Sequence, residues 1–167
     1  MKKLLEPITV NTMTLKNRMV VSAMVTGFCK ADGYATEQFI AYHEAKAKGG
    51  WGLIIPEDYV IAPGVGGSRD LPGLFTDDQI ASHKQLTDRI HAAGGKIACQ
   101  IYHAGRRIVR SDNGVQPVAP SALKFAGAPS EIPRELTKRE IEEIVVQFAE
   151  CARRVKAAGF DAVEIHG

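Results

Sequence analysis

The sequence predicts an α/β fold built on a parallel sheet, in the order β-hairpin and then β-α-β-α-β-α-β. Two observations predict it. Short apolar runs typical of buried strands alternate with longer segments whose apolar residues recur at helical spacing. Each helical segment begins at a threonine and ends next to a glycine, which are common helix start and stop signals. Because strands that are joined through helices run parallel, the alternation favours a parallel sheet.

The N-terminal segments predict a hairpin and then the first strand of the sheet. Ile8–Val10 and Met13–Leu15 flank the turn residues Asn11 and Thr12, an arrangement typical of a small hairpin. Residues 19–24 form a β-rich apolar run, so we expect a buried strand there.

The middle of the chain predicts two helices and two further strands. Thr36 is the expected N-cap of a helix over Glu37–Lys48, and residues 53–56 are a short apolar run that predicts the second strand. A capping box over residues 76–79 begins the second helix, and Lys96–Tyr102 is the expected third strand.

The last third of the chain predicts a long loop, one more helix and the fourth strand. Residues 104–135 are rich in Gly, Pro and Ser, and a loop of this length inside a domain is usually functional. A second capping box over residues 137–140 begins an amphipathic helix that ends at Gly159. Residues 161–166 are the expected fourth strand.

Four strands in this order fit either an open sheet or part of a barrel. A complete (β/α)₈ TIM barrel needs about 250 residues. The chain has 167 residues, so it holds at most the first half of such a barrel. We therefore expect residues 1–167 to form a single barrel segment that ends after the fourth strand.

The composition of the chain indicates which partners and which cell compartment to expect. The 21 basic and 19 acidic residues give a formal net charge of +2, which does not predict a nucleic-acid partner. The apolar runs are too short to span a bilayer, and no apolar signal-peptide segment follows the lysines near the N-terminus. The 3 cysteines lie far apart and form no CxxC pair. We therefore expect a cytoplasmic protein without membrane contact and without a metal site in this chain.

Polar side chains cluster at the predicted carboxyl ends of the strands, where parallel α/β folds bind their ligands. They are Thr26, Glu57, Asp58, Gln100, His103, Glu164 and His166. The amide of Gln100 is both a donor and an acceptor, which suits a heteroaromatic ring with adjacent C=O and N–H groups. The alternative is a glutamine whose amide bonds to nearby backbone.

The other strand-end groups also leave two interpretations open. A cationic cluster either binds an anion or lies in a solvated loop; its members are His103, Arg106 and Arg107. His166 is either a donor to a ligand or a hydrogen-bonded core residue. Three carboxylates also have two interpretations. They are metal ligands or acid–base groups, or they are partners in buried salt bridges or helix caps. These residues are Glu57, Asp58 and Glu164.

Five segments occur in the order found in one known family. They are LKNR at 15–18, AMVTG at 23–27, GKIACQIYHAGR at 95–106, VAPSAL at 118–123 and AGFDAVEIHG at 158–167. On these segments the chain resembles the old yellow enzyme family of NADH:flavin oxidoreductases. The segment after the first strand is most similar to the branch of 2,4-dienoyl-CoA reductases and 2-enoate reductases.

The resemblance implies an FMN-binding TIM barrel and assigns roles to individual residues. The backbone of residues 23–25 would lie against the flavin ring, and residue 58 would lie beside the ring through its own backbone. Gln100 would bind the pyrimidine edge, and His166 would be the first member of a His-x-x-His or His-x-x-Asn pair that faces flavin and substrate. The implied cofactor-binding residues are Ala23, Met24, Val25, Asp58, Gln100 and His166.

The same resemblance implies a reaction. NAD(P)H would reduce FMN, and a hydride would then pass from FMN to the β-carbon of an activated C=C bond in a small enoate, enone or dienoyl-CoA substrate. The proton donor would follow Gly167, so no catalytic residue is assigned within the chain. Longer members of the branch also carry a 4Fe-4S cluster and FAD in later segments.

Two alternatives remain at this stage. One is another TIM-barrel enzyme, such as an aldolase or a phosphate-binding isomerase, although Lys96 begins its strand and so lies at the wrong end for a Schiff base. The other is a non-catalytic half-barrel that acts as an assembly module without bound flavin. In either case the fourth strand would be an unpaired edge, which predicts self-association.

Overall fold

The computed structural model describes residues 2–68, 70–124 and 131–167, and it begins with the predicted hairpin. In that hairpin β1 (Ile8–Val10) pairs antiparallel with β2 (Met13–Leu15). Asn11 makes the turn with φ 52°, a left-handed conformation that asparagine tolerates because its side chain is short and polar. A 3-10 helix over Lys2–Leu5 precedes the hairpin.

A curled parallel sheet follows, and it has the character of half a barrel. The later strands are β3 (Val20–Val21), β4 (Leu53–Ile54), β5 (Asp58–Val60), β6 (Lys96–Tyr102), β7 (Val118–Ala119), β8 (Arg134–Glu135) and β9 (Ala162–Ile165). In the sheet β3 pairs with β4, both β4 and β5 pair with β6, and β9 pairs with the other edge of β6. All of these pairs are parallel, as the alternation of strands and helices predicts.

The second predicted strand is longer than its apolar run, because β4 and β5 are two halves of one strand. Ile54 lies opposite Ile97, whereas Asp58 lies opposite Gln100, so three residues on this strand face two on β6. This is a one-residue bulge, and it contains Pro56, which has no N–H to donate to a ladder. The prediction that Asp58 follows the end of this strand is therefore wrong, since Asp58 begins its second half.

The first predicted strand is shorter than its apolar run. Of residues 19–24, only Val20 and Val21 pair with β4. The ladder stops where the neighbouring strand bulges, because the extra residue there shifts the backbone groups that would have paired. Beyond this point Met24 keeps one link, from its N–H to the Pro56 carbonyl at 3.3 Å.

The helices begin and end close to the predicted residues. They are α1 (Glu37–Lys48), α2 (Ile80–Ala92), α3 (Arg110–Asn113) and α4 (Lys138–Ala157), with 3-10 helices at Asp77–Gln79 and Gly105–Arg107. The Thr36 hydroxyl accepts a hydrogen bond from the Phe39 N–H at 3.1 Å, which confirms the predicted cap of α1. Complete capping boxes precede α2 and α4 at the predicted threonines.

The predicted long loop contains more structure than its composition indicates. It includes the 3-10 helix at Gly105–Arg107, α3, and the parallel pair β7 and β8. Residues 125–130, in the middle of the predicted loop, lie outside the described part of the chain.

The core lies between the sheet and the helices, and it fixes which side chains face the barrel interior. Tyr59 and Ile101 are in register and are buried against the helices, together with Phe39 of α1 and Leu86 of α2. Since neighbouring residues of a strand point to opposite faces, residues 58 and 100 point away from the helices. The polar side chains of Asp58 and Gln100 therefore face the interior of the half-barrel.

Candidate functional site

A cleft of about 1150 Å³ opens at the carboxyl ends of the strands. Its wall includes three of the predicted cofactor-binding residues, which are Val25, Asp58 and His166. The rest of the wall comes from the end of β6, the loop after it, β7 and the residues next to it, and one face of α4, together with Gly67, Ser68, Leu71, Leu136 and Gly167. The cleft thus lies at the end of the sheet where parallel α/β folds bind their ligands, and its size suits a cofactor and a substrate.

Gln100 lies in one row with two carboxylates. It is in register with Asp58 on β5 and with Glu164 on β9, and the row faces the barrel interior. The Gln100 Nε2 atom donates to Glu164 Oε1 at 2.5 Å. The alternative of an amide that bonds to backbone is therefore wrong, because the described partner of the Gln100 side chain is another side chain.

Asp58 and His166 interact electrostatically within the cleft. Partial burial raises the pKa of Asp58 above its usual value, and the nearby His166 opposes that rise. The His166 backbone N–H bonds to the Ile101 carbonyl at 3.1 Å, which continues the β6–β9 pairing and directs this residue to the mouth of the cleft. The structure thus brings together two of the residues that the sequence proposed from separate strands.

The segment of residues 23–25 crosses the end of β3 with apolar side chains uncovered. Met24 is 64% exposed and Val25 is 52% exposed, while Ala23 is half-buried. Val25 lies in the cleft wall; Ala23 and Met24 do not. An uncovered apolar surface beside a cleft favours a flat apolar partner, because burying that surface on binding is favourable.

A buried carboxyl group holds this segment to the bulge. The Thr26 hydroxyl donates to Glu57 Oε1, and it also accepts from the Phe28 N–H at 3.2 Å. Burial raises the pKa of Glu57, and the hydrogen bond from Thr26 partly offsets that rise. Within the described residues Glu57 Oε2 has no hydrogen-bond partner. Among residues 2–68, 70–124 and 131–167, Glu57 has no salt-bridge or helix-cap partner, and it acts as an anchor between two segments of the site.

Tyr102 lines the cleft, although it is not among the site residues that the sequence predicts. Its hydroxyl accepts from the Gly67 N–H at 2.6 Å, and its ring lies 5.6 Å from the His166 ring, centroid to centroid. Burial raises the pKa of the Tyr102 hydroxyl, so it stays protonated at neutral pH. Strand periodicity was the available signal, because Tyr102 lies two residues after Gln100 and so faces the same side.

The predicted cationic cluster lies in the cleft wall. His103, Arg106 and Arg107 all line it. His103 Nδ1 accepts from the Gly105 N–H at 2.9 Å, and burial lowers the pKa of His103, so the ring is neutral at pH 7. The two arginines therefore carry the positive charge of this cluster.

The amino end of the sheet has a structural role. Lys96 Nζ contacts Asp161 Oδ1 at 2.7 Å, and Asp161 Oδ2 accepts from the Ile97 N–H at 2.9 Å. Lys96 therefore lies at the end of β6 away from the cleft, as its sequence position predicts. An aldolase-type Schiff base at this lysine does not fit that geometry.

The described residues contain neither a metal-binding cluster nor a membrane-spanning helix. Across residues 2–68, 70–124 and 131–167, no group of three or more His, Cys, Asp or Glu side chains is placed to hold a metal ion. Among the helices of these ranges, none has the length and apolar character needed to cross a membrane.

The cleft fits the flavin that the resemblance implies. The row at Gln100 offers an amide donor and acceptor, and the uncovered segment at Met24 and Val25 offers an apolar surface for a ring. Gln100, Asp58 and the segment at 23–25 come from three neighbouring strands at the same end of the sheet.

Comparisons with known proteins agree with this geometry. The NADPH dehydrogenase of Listeria monocytogenes is 40% identical over 168 residues, which cover 99% of this chain and 48% of that protein. The NADH oxidase of Thermoanaerobacter brockii is 38% identical over 160 residues, which cover 95% of this chain and 24% of that protein. Morphinone reductase superposes with a TM-score of 0.91 at 35% identity, over 98% of this chain and 47% of that structure.

These relatives also define how much of a barrel the chain holds. It spans about half the length of the NADPH dehydrogenase and of morphinone reductase. Its curled sheet matches the N-terminal part of the old yellow enzyme barrels, which confirms the predicted half-barrel. The model of the NADH:flavin oxidoreductase / NADH oxidase family matches residues 3–167, and the chain therefore belongs to that family.

Proposed function

We propose that the chain forms the flavin-contacting half of an oxidoreductase that uses NAD(P)H to reduce an activated C=C bond through FMN. The observation that carries the proposal is the cleft, whose wall includes Val25, Asp58 and His166; Gln100, which is not part of that wall, is in register with Asp58 on the neighbouring strand. The family is named for reactions between NADH and flavin, which supports a flavin-dependent oxidoreductase.

Each residue of the cleft has a defined task in this proposal. FMN, when bound, supplies the hydride that the substrate carbon accepts. The segment at Ala23, Met24 and Val25 would cover one side of the ring, and the Gln100 amide would hold its pyrimidine edge as donor and acceptor. His166 donates from the mouth of the cleft to the oxygen on which charge develops. Asp58 would lie beside the ring, and its carboxyl group interacts electrostatically with His166.

The complete reaction belongs to a longer protein in this proposal. The chain covers 48% of one relative and 24% of another, so the activity of the whole protein, its substrate and its electron donor are proposals. We propose an enoate, enone or dienoyl-CoA as the substrate and a residue after Gly167 as the proton donor. A 4Fe-4S cluster and FAD in the whole protein, and a location in the cytoplasm, are proposals of the same kind.

One observation favours a second candidate, an assembly module without bound flavin. Ile165 is 70% exposed and Val163 is 41% exposed on the helix-facing side of β9. On α4, Val145 and Val146 are 62% and 60% exposed. Apolar surface of this kind at a sheet edge favours association, because a partner can cover it.

Flavin titration of the purified chain separates the two candidates. We expect saturable quenching of flavin fluorescence, with FMN affinity weaker than micromolar because a half-barrel offers few contacts to the phosphate. Gln100→Leu weakens binding, whereas Gln38→Leu, which removes an exposed amide on α1, leaves it unchanged. A chain that associates but shows no saturable flavin binding contradicts the oxidoreductase proposal and supports the assembly module.

A further inference from the structure

We infer that Glu164 is a positioning residue, which fixes the orientation of the Gln100 amide so that this amide selects a ring carrying N–H beside C=O. The inference rests on the proposed function, because Gln100 is the residue proposed to hold the ring. The observation behind it is the hydrogen bond from Gln100 Nε2 to Glu164 Oε1 at 2.5 Å.

The sheet places the two side chains next to each other without any adjustable loop. Gln100 and Glu164 are in register on β6 and β9, and they share the interior face of the sheet. The neighbouring row fixes this face, because Ile101 is buried against the helices and adjacent residues of a strand point to opposite faces. The distance between the two side chains is thus set by strand pairing.

Glu164 makes the two orientations of the amide unequal. An ionised carboxylate only accepts hydrogen bonds, so the amide nitrogen must face β9. The reversed amide would bring Gln100 Oε1 against the carboxylate oxygens, which removes a charge-assisted bond and adds repulsion. The observed orientation leaves Gln100 Oε1 and one N–H for a ligand. An N–H next to a C=O on that ligand matches this pair.

The Gln100 amide takes this orientation before a ligand binds. The orientation therefore affects the affinity for that ligand. Within the described residues Glu164 is the side-chain partner of Gln100, and no second bond compensates for its loss. Asp58, on the other side of Gln100, is half-buried, and its pKa is raised by that burial. Glu164 itself is exposed, so its conversion to glutamine does not threaten the core.

Riboflavin and 3-methylriboflavin test the inference through the flavin ring alone. Both lack a phosphate, and they differ only in the N3–H that Gln100 Oε1 would accept. We expect the chain to prefer riboflavin, and E164Q to reduce that preference by about fivefold, because glutamine accepts as well as donates and allows both amide orientations. E142Q, at an exposed position of α4, makes the same charge change away from the cleft and keeps the preference.

A second measurement needs no ligand. The side-chain amide of Gln100 gives NMR signals, and one of its protons should move upfield in E164Q when the charge-assisted bond is lost. In E142Q the signals should stay in place. An unchanged Gln100 amide signal in E164Q, or an unchanged riboflavin preference in a chain that binds riboflavin, overturns the inference. If the wild-type chain binds no flavin but the amide signal moves, the positioning role stands and the proposed function fails.

Discussion

Acid should destabilise this fold through two histidines that are buried against the sheet. His43 of α1 is 0% exposed, and within the described residues neither of its ring nitrogens has a hydrogen-bond partner. Its ring packs edge-on against Phe39, with the two centroids 4.7 Å apart. His83 of α2 is also 0% exposed, and its Nε2 bonds to the Gly33 carbonyl at 2.9 Å. Both sites therefore hold a neutral ring and resist protonation.

The size of the stability loss follows from the difference between the histidine pKa values in the folded and the unfolded protein. Burial lowers the pKa of His43 from 6.5 to about 3, and the pKa of His83 from 6.5 to about 4. Between these values the unfolded chain binds more protons, so the free energy of unfolding falls as the pH falls below 6.5. Taking RT as about 0.59 kcal/mol, the loss at pH ~5 is about 2 kcal/mol for each histidine.

Urea unfolding of the wild type and of His43→Phe measures this loss. Phenylalanine keeps a ring against Phe39 but cannot bind a proton. Between pH ~7.5 and pH ~5, we expect the variant to lose about 2 kcal/mol less stability than the wild type. The raised pKa of Glu57 acts in the opposite direction, but it is common to both proteins and cancels in the comparison. Equal losses in the two proteins would show that His43 is not held neutral, and the reasoning would fail.

Three other substitutions test separate parts of the structure. Thr26→Val should cost about 1–3 kcal/mol in urea unfolding, because the buried Glu57 carboxyl loses its hydroxyl donor; an unchanged midpoint would contradict the anchor role. Gly52→Ala should lower the melting temperature, since a Cβ there would lie 2.6 Å from the Asn17 backbone oxygen; a wild-type melting temperature would count against this close approach. Ile165→Lys should shift sedimentation toward monomer, because Ile165 is 70% exposed beside the open edge of β9; an unchanged association state would place the interface elsewhere.

The helices were predictable because their signals are local. Thr36 and Thr137 each bond to a backbone N–H three residues later, and that bond needs only the helix it begins. The first two strands were less predictable, because their lengths depend on a neighbour. The bulge around Pro56 exists only in relation to β6, and it sets both where β3 stops and where Asp58 lies.

The site was only partly predictable, because some of its features depend on one strand and others depend on the pairing between strands. The carboxyl-end rule placed Asp58, Gln100 and His166 on one edge of the sheet, because it depends only on strand direction. The partners of these residues depend on register between strands, so the bond from Gln100 to Glu164 could not be predicted from either strand alone.

Polar groups at the two ends of the sheet have different kinds of partner. At the amino end, Asp161 holds Lys96, His91 and the Ile97 N–H, so its carboxylate is fully used within the fold. At the carboxyl end, Gln100 keeps an acceptor and a donor for a partner, and Asp58 lies half-buried in an open cleft. Water can pair with these accessible polar groups when no ligand is bound, so they remain available for a ligand without a cost to the fold. The unequal use of polar groups at the two ends therefore favours the carboxyl end of the sheet as the place where a ligand would bind.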